Sequence, residues 1–356
     1  MTATRSDSLR RARSEGRDGY YVQLADVERG LYPFRDHFRG KTVLLNCDDT
    51  FGGFWTYFRN NLDFLGIERV IGVGYEPGGQ GRVSELRLAG GPDAVATRAL
   101  AGDGDFRSDE VVDLLGQADI VATTPPSSLF PEHLAQAVEH GKGFVTLGAQ
   151  SSAAYRDVWP MILSGDAWAM PHPGRGTVVF EIPEDAPAGR WGYQETAGGK
   201  RLQENRSFCW YTNLDTVHRH RGIPLYTRYA DNPERFPTYY DYPAIEVPRV
   251  SEIPRDYDGE MGVPVTFLGH HDPDQFEIVG QSRDLARRDG VSKDFIYTSS
   301  GGKSVYPYMR VVIRRMGAGG ELAGPIEGKP RPGRFYISEN GSLRRLYERI
   351  VIRRRA

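Results

Sequence analysis

Between Lys41 and Gly148 short apolar runs alternate with segments of helical spacing, and that alternation restricts the chain to an α/β fold. Thr42–Asn46 (TVLLN) reads as a buried strand. After Gly52-Gly53, the residues Phe54, Trp55, Phe58, Leu62 and Leu65 recur at helical spacing, with Gly66 as the stop. Arg69–Gly74 predicts a second strand that ends at Tyr75-Glu76. Ser108 has the chemistry of an N-cap, Asp109 and Glu110 suit the first turn of a helix, and Val111, Val112, Leu114 and Leu115 form its packing face. Asp119–Thr123 is the next expected strand. A helix from about Pro131 to His140 stops at Gly141, and Gly143–Gly148 is a further strand. Strands joined by helical crossovers predict a mostly parallel, doubly wound sheet for residues 41–165.

Outside that region the pattern loosens. Residues 1–19 are Arg-rich with almost nothing to bury, which predicts a flexible basic arm, and they lack the apolar core of a secretory signal. Residues 20–165 then form the core and 166–356 a loop-rich second part, in which Gly, Pro and aromatic residues rise and Ile253–Gly262 reads as loop. Ser207–Thr212 and Val265–Leu268 predict strands that extend the sheet, and Phe335–Ala356 a hairpin-like strand pair. Over 356 residues Lys+Arg 45 against Asp+Glu 47 leaves a net charge of −2, so a polyanion must be met by a local basic patch. Cys47 and Cys209 are too few for a disulfide framework or a cysteine zinc site, and no apolar run reaches membrane-spanning length. A cytoplasmic protein is expected.

Open α/β sheets bind ligands beyond the carboxyl ends of their strands. The residues there are Asn46, Cys47, Asp48 and Asp49 after the first strand, Glu76 after the second, and Thr124-Pro125-Pro126-Ser127 after Asp119–Thr123. Paired acids at a strand end bind ribose hydroxyls or a ligand ammonium, or cap the following helix. The GxGxxG fingerprint of dinucleotide enzymes is absent. Gly102-Asp103-Gly104-Asp105-Phe106-Arg107 offers acids for an adenine amino group with Phe106 to pack on the ring; it also fits a plain Asp-Gly turn. Pro125 and Pro126 cannot donate to a ladder, so they fix a turn with carbonyls free to accept from an amine. The pairs His218/His220 and His270/His271 lack partners at a metal spacing, so loop histidines and no metal are expected.

Taken in order, these stretches resemble the EcoRI-type adenine-specific DNA methyltransferases over roughly residues 20–290. The likeness rests on Tyr20-Tyr21-Val22-Gln23-Leu24, Leu45–Asp49, Gly102–Ser108, Ala118–Val121 before the Pro-Pro turn, Ser128-Leu129-Phe130, Cys209–Asp215 and Asp256–Pro264. The resemblance implies a class I methyltransferase fold with a Rossmann-like doubly wound sheet and a C-terminal target-recognition region, S-adenosylmethionine as cofactor, and N6 of an adenine extruded from double-stranded DNA as acceptor. It assigns Tyr21 and Gln23 to a cofactor-contacting strip, Asn46–Asp49 to the loop under the methionine part, and Asp103 or Asp105 to the cofactor adenine. Thr124–Ser127 stands where the family has Asn-Pro-Pro-Phe, whose asparagine oxygen and first proline carbonyl accept from the target amine while the ring stacks on the base. Thr124 keeps an oxygen acceptor. Ser127 has no ring, so a flipped base is expected to be held more weakly unless another ring such as Phe130, Trp210 or Tyr211 substitutes. Cytosine N4, a small amine-bearing metabolite, or binding without catalysis remain the alternatives. DNA contacts would fall to Lys200-Arg201, Arg219, Arg221 and Arg228, and to Arg344, Arg345, Arg349, Arg353, Arg354 and Arg355 near the C-terminus, which equally fit a solvated polar tail.

Overall fold

The computed structural model describes residues 21–47, 52–173, 176–182, 192–239, 243–282, 295–299, 302–306, 310–313, 335–339, 342–346 and 348–355. The expected basic arm and the pair Asp48-Asp49 lie outside the described residues. The chain divides into two compact units, Met1–His218 and Arg219–Ala356.

The first unit runs β1 (Tyr21–Val22), α1 (Leu24–Leu31), β2 (Thr42–Leu45), α2 (Gly53–Asn60), α3 (Leu62–Leu65), β3 (Arg69–Gly74), β4 (Arg82–Arg87), β5 (Ala96–Ala99), α4 (Asp109–Gln117), β6 (Ile120–Thr123), α5 (Phe130–Glu139), β7 (Gly143–Ala149), α6 (Trp159–Ser164), β8 (Trp168–Pro171), β9 (Val178–Glu181), β10 (Tyr193–Glu195), β11 (Arg201–Asn205) and β12 (Phe208–Thr212). Its main sheet has the order β5-β4-β3-β2-β6-β7-β12-β8. The expected strands β2, β3, β6 and β7 are the parallel centre, and antiparallel strands added at both edges make the whole sheet mixed. β4 follows β3 through a turn too short for a helical crossover, which dictates its antiparallel pairing. Strand β12 meets the expectation at Ser207–Thr212 by pairing with β7.

Alternation along the strands sorts side chains onto two faces. Val43, Leu45, Ile120, Ala122, Val145 and Leu147 share one core with Val27 and Leu31 of α1, Phe54 and Phe58 of α2 and Leu65 of α3. Each fully buried side chain of this kind contributes roughly 1.5–3 kcal/mol. The intervening residues turn to the other face, where Phe130 of α5 closes so tightly on β7 that a Cβ at Gly148 would lie 2.3 Å from its ring. Helices therefore cover both faces, as the doubly wound pattern requires. Gly66 ends α3 in the left-handed conformation at φ 62°, as expected of a glycine stop. Ser108 does occupy the N-cap position of α4, but its hydroxyl donates to the Asp105 carbonyl at 2.8 Å instead of capping the helix. A second, smaller sheet has the order β1-β9-β11-β10.

The second unit contains β13 (Thr238–Tyr239), β14 (Ala244–Glu246), β15 (Glu260–Pro264), β16 (Phe276–Gln281), β17 (Phe295–Ser299), β18 (Gly302–Tyr306), β19 (Arg310–Ile313), β20 (Phe335–Glu339), β21 (Ser342–Leu346) and β22 (Arg349–Arg354). Its main sheet runs β16-β22-β15-β14-β13-β19-β20-β21. Two expectations change here. Val265–Leu268 is not a strand: it lies in a 3-10 helix, Val265–His270, that buries Phe267 and Leu268. Glu260–Gly262, read as loop, belongs to β15, which is held on both sides by β14 and β22. The C-terminal pair is present as the β20–β21 hairpin, followed by β22 inside the sheet. Among the described residues no helix is long and apolar enough to cross a membrane.

Candidate functional site

The parallel order β3-β2-β6 places the ends of three strands side by side, and with them Glu76, Asn46-Cys47 and Thr124-Pro125-Pro126. Glu76 is exposed, and its backbone N–H donates to the Asp103 carbonyl at 2.8 Å. That bond brings the Gly102–Arg107 loop onto the end of β3. Gly104 makes the approach possible: its φ is +85°, and a Cβ there would lie 2.7 Å from the Gly74 carbonyl oxygen. Within the loop the Asp103 carboxylate accepts from the Asp105 N–H at 3.1 Å, while Asp105 accepts from the Arg107 N–H at 2.9 Å and from its guanidinium. The Asp105 carboxylate holds the Arg107 guanidinium above its ordinary pKa. Asp105 is thus occupied by Arg107.

The strip Tyr21–Gln23 reaches the same region. The Val22 carbonyl sits where a Cβ at Gly53 would be 2.6 Å away, so the start of α2 presses directly on it. Gln23 donates its N–H to the Val179 carbonyl at 3.1 Å, and Val179 in turn donates to the Asp26 carboxylate at 2.7 Å. Tyr21 is exposed, and Cys47 is half-buried and not in a disulfide.

In the Pro-Pro turn, Pro125 is buried, Thr124 and Pro126 are half-buried and Ser127 is exposed. The expectation of free carbonyls fails at Pro126, whose oxygen accepts from the Leu129 N–H at 2.9 Å as the turn enters α5. No turn bond is made to the Pro125 carbonyl among the described residues. The Thr124 hydroxyl is buried and without a hydrogen-bond partner among them. Such an atom carries a desolvation cost unless something accepts from it or donates to it.

The rings named as possible substitutes for the absent phenylalanine are committed to the core. Phe130 packs against Tyr211 with centroids 4.8 Å apart, the Tyr211 hydroxyl donates to the Ala149 carbonyl at 2.9 Å, and the Trp210 indole donates to His172 Nδ1 at 3.0 Å. All three are fully buried core side chains. Burial also pushes the Cys209 thiol up to about 12, which makes it inert.

The basic residues divide in the same way. Arg349 is buried and bidentate to Glu246, whereas Arg353, paired with Glu260, and Arg354, paired with Asp258 at 2.9 Å, stay partly exposed on β22 and Arg355 is exposed; the side chains of Arg344 and Arg345 lie outside the described residues. Lys200 pairs with Glu181 at 2.8 Å, Arg201 donates to the Tyr193 hydroxyl at 3.1 Å, and Arg228 lies 3.6 Å from Asp256. Arg221 is exposed and Arg219 half-buried. His220, Asp272 and Asp274, which no sequence spacing connects, bring their ligand atoms within 4.8 Å of one another, with His220 and Asp274 already paired at 3.2 Å.

Sequence reasoning missed His133. It is buried on α5, its Nε2 lies 2.9 Å from Asn46 Oδ1, and its ring meets Phe106 edge-on with centroids 5.3 Å apart. The signal was present: Phe130, His133, Leu134 and Ala137 form the buried stripe of the helix, so a polar residue occupies an apolar position.

The family model described as adenine-specific methyltransferase EcoRI matches residues 8–316. Over 321 residues the chain is 34% identical to the Type II methyltransferase M.EcoRI of Escherichia coli, covering 86% of this chain and 95% of that one. It is 29% identical over 318 residues to the Type II methyltransferase M.MpnI of Mycoplasma pneumoniae, covering 86% and 97%. No solved structure gives a significant match.

Proposed function

Because the chain belongs to the family of EcoRI-type adenine-specific methyltransferases, we propose that it transfers a methyl group from S-adenosylmethionine to N6 of an adenine in double-stranded DNA, in the cytoplasm. The observation that carries the reading is the Thr124 hydroxyl, buried and unpartnered at the end of a central parallel strand, where the resemblance assigns acceptance of the target amine.

The residues present suit the cofactor. Glu76, exposed at the end of β3, matches ribose hydroxyls, and Asp103, drawn to the same strand end by Gly104, matches the adenine, with the Phe106 ring buried beside it. Asn46, with Cys47, Asp48 and Asp49, would meet the methionine part, and Tyr21 and Gln23 would flank it. When bound, S-adenosylmethionine would supply an electrophilic methyl group on a sulfonium, whose sulfur leaves as a neutral thioether.

The protein's own contribution is orientation. Thr124 Oγ1 and the Pro125 carbonyl accept the hydrogens of the target amine, which leaves the nitrogen lone pair directed away from the turn, toward the methyl group. The two prolines limit the freedom of that turn, and the Leu129 N–H ties its far side to α5. With the cofactor bound, a C–N bond would form as the C–S bond breaks, and the nitrogen held by Thr124 Oγ1 and the Pro125 carbonyl would then lose one proton to water. No strong base is needed before transfer, since the electrophile is already activated.

Purified protein incubated with S-adenosylmethionine and mixed-sequence duplex DNA, followed by digestion to nucleosides and mass spectrometry, is expected to yield N6-methyladenine. Ser127 presents no ring and the neighbouring rings are buried, which favours as the second reading an acceptor held without stacking; N4-methylcytosine as the product, or methylation of a small amine alone, would establish it. Cofactor binding with no methylated product would overturn both readings.

A further inference from the structure

Three polar side chains of α5 reach the loops at the strand ends. Gln136 donates its amide to the Phe106 carbonyl at 3.1 Å, Glu132 lies 3.6 Å from Arg107, and His133 reaches Asn46. Of these three, only His133 touches both proposed ends of the cofactor pocket. We propose that His133 is a positioning residue that couples those ends, orienting the Asn46 side chain at the end of β2 while bracing Phe106 at the end of β3. This role rests on the reading that Asn46 and Phe106 hold S-adenosylmethionine.

The hydrogen-bond chemistry sets the orientation. A side-chain carbonyl oxygen only accepts, so His133 donates its Nε2–H to Asn46 Oδ1 and keeps Nδ1 as a bare acceptor. Nδ1 is buried with no partner among the described residues, consistent with a neutral ring; burial pushes the imidazole down to about 4. With its oxygen tied to α5, the end of the Asn46 amide left to meet a ligand is the NH2. That group donates, which suits a carboxylate such as that of the methionine part. The same ring, edge-on to Phe106, meets the loop that Gln136 holds by its backbone, so a shift of α5 moves both halves together. Asn46 and Thr123 are buried on this face of the sheet, so the contact is sheltered from competing water.

The test compares two substitutions in the full-length chain. His133→Phe keeps the ring edge against Phe106 and removes the donor; His133→Gln keeps a donor of similar reach and removes the ring. Calorimetric titration with S-adenosylhomocysteine is expected to show roughly tenfold weaker binding for His133→Phe and less than about threefold for His133→Gln, with KM for duplex DNA unchanged in both. In an Asn46→Ala background, His133→Phe is expected to add less than about twofold, because its partner is gone. Equal losses for the two variants, or a full tenfold loss persisting beside Asn46→Ala, would overturn the role. So would a lower melting temperature with unchanged affinity, the mark of a merely structural residue. If His133→Phe does not fold, Asn46→Ala alone carries the test: it should weaken binding about tenfold, and His133→Gln added to it should do nothing more. A wild-type chain that fails to bind S-adenosylhomocysteine overturns the pocket itself, whereas binding by wild type and His133→Phe alike overturns only the coupling.

Discussion

On the proposed mechanism, Thr124 and Ser127 together determine how a target base is held. The Thr124 hydroxyl is a shorter acceptor than an asparagine amide, and its burial without a partner makes it strong once an amine N–H arrives. Thr124→Ala should therefore lower the single-turnover rate roughly ten- to a hundredfold and leave cofactor affinity within about twofold, since each factor of ten needs only about 1.4 kcal/mol. Rapid-quench measurement at saturating DNA checks this, and an unchanged rate would remove the hydroxyl from the mechanism. Ser127 is exposed, so its replacement meets little resistance from the core. Ser127→Phe is expected to tighten binding of DNA with a mismatched target adenine by about fivefold or more, base stacking being worth about 1–3 kcal/mol. Fluorescence anisotropy reads that change directly.

At the level of elements, α5 is the piece on which the site depends. It begins at the Pro-Pro turn, buries Phe130 against β7, and carries His133 and Gln136 to the end of β2 and to the Gly102–Arg107 loop. Gly148 is what permits this seating. A Cβ there would sit 2.3 Å from the Phe130 ring and 2.7 Å from its tip, and neither the strand backbone nor a fully buried ring yields easily. Gly148→Ala should cost about 1–3 kcal/mol of stability and reduce methyl transfer more than the loss of folded protein accounts for. Denaturant titration beside active-site titration separates the two. These elements were legible in advance because the apolar residues of β2, β3, β6 and β7 lie in short runs and those of α2 and α5 recur at helical spacing. Val265–Leu268 misled for a related reason: an apolar tetrad with β-branched Val265 and Thr266 satisfies a strand pattern, yet the chain buries Phe267 and Leu268 by coiling tightly.

For the whole molecule, buried ionisable groups set the response to pH and the stability of each unit. In the first unit an unfolded chain protonates His133 at its ordinary value near 6.5, while the folded protein resists protonation down to about 4. Between those values the unfolded state binds more protons, so stability falls as the pH drops through that window, by roughly 3 kcal/mol at most. Urea midpoints measured from pH 7 to pH 4.5 should show this slope, and His133→Phe should flatten it. The second unit has its own lock in Arg349 and Glu246, a bidentate pair in which both partners are almost wholly buried. Glu246→Ala removes the bidentate partner of a buried guanidinium, at an expected cost of about 3–5 kcal/mol. A separate low-temperature transition by calorimetry is the expected signature.

The sequence by itself determined the α/β class, the parallel centre of the first sheet and the loops at its strand ends, because hydrophobic periodicity and turn residues act over a few neighbours. The order of motifs along the chain determined the family, and the Thr-Pro-Pro-Ser departure was readable directly. Tertiary structure decided what each side chain is free to do. Arg349, Arg353 and Arg354 read as a basic tail until pairing with Glu246, Glu260 and Asp258 placed them in a sheet. Phe130, Trp210 and Tyr211 read as available rings until the core enclosed them, and His133 acquired a role only when α5 set it against Asn46, 87 residues earlier in the chain. Pairing and burial of this kind depend on contacts between distant segments, which local spacing does not encode.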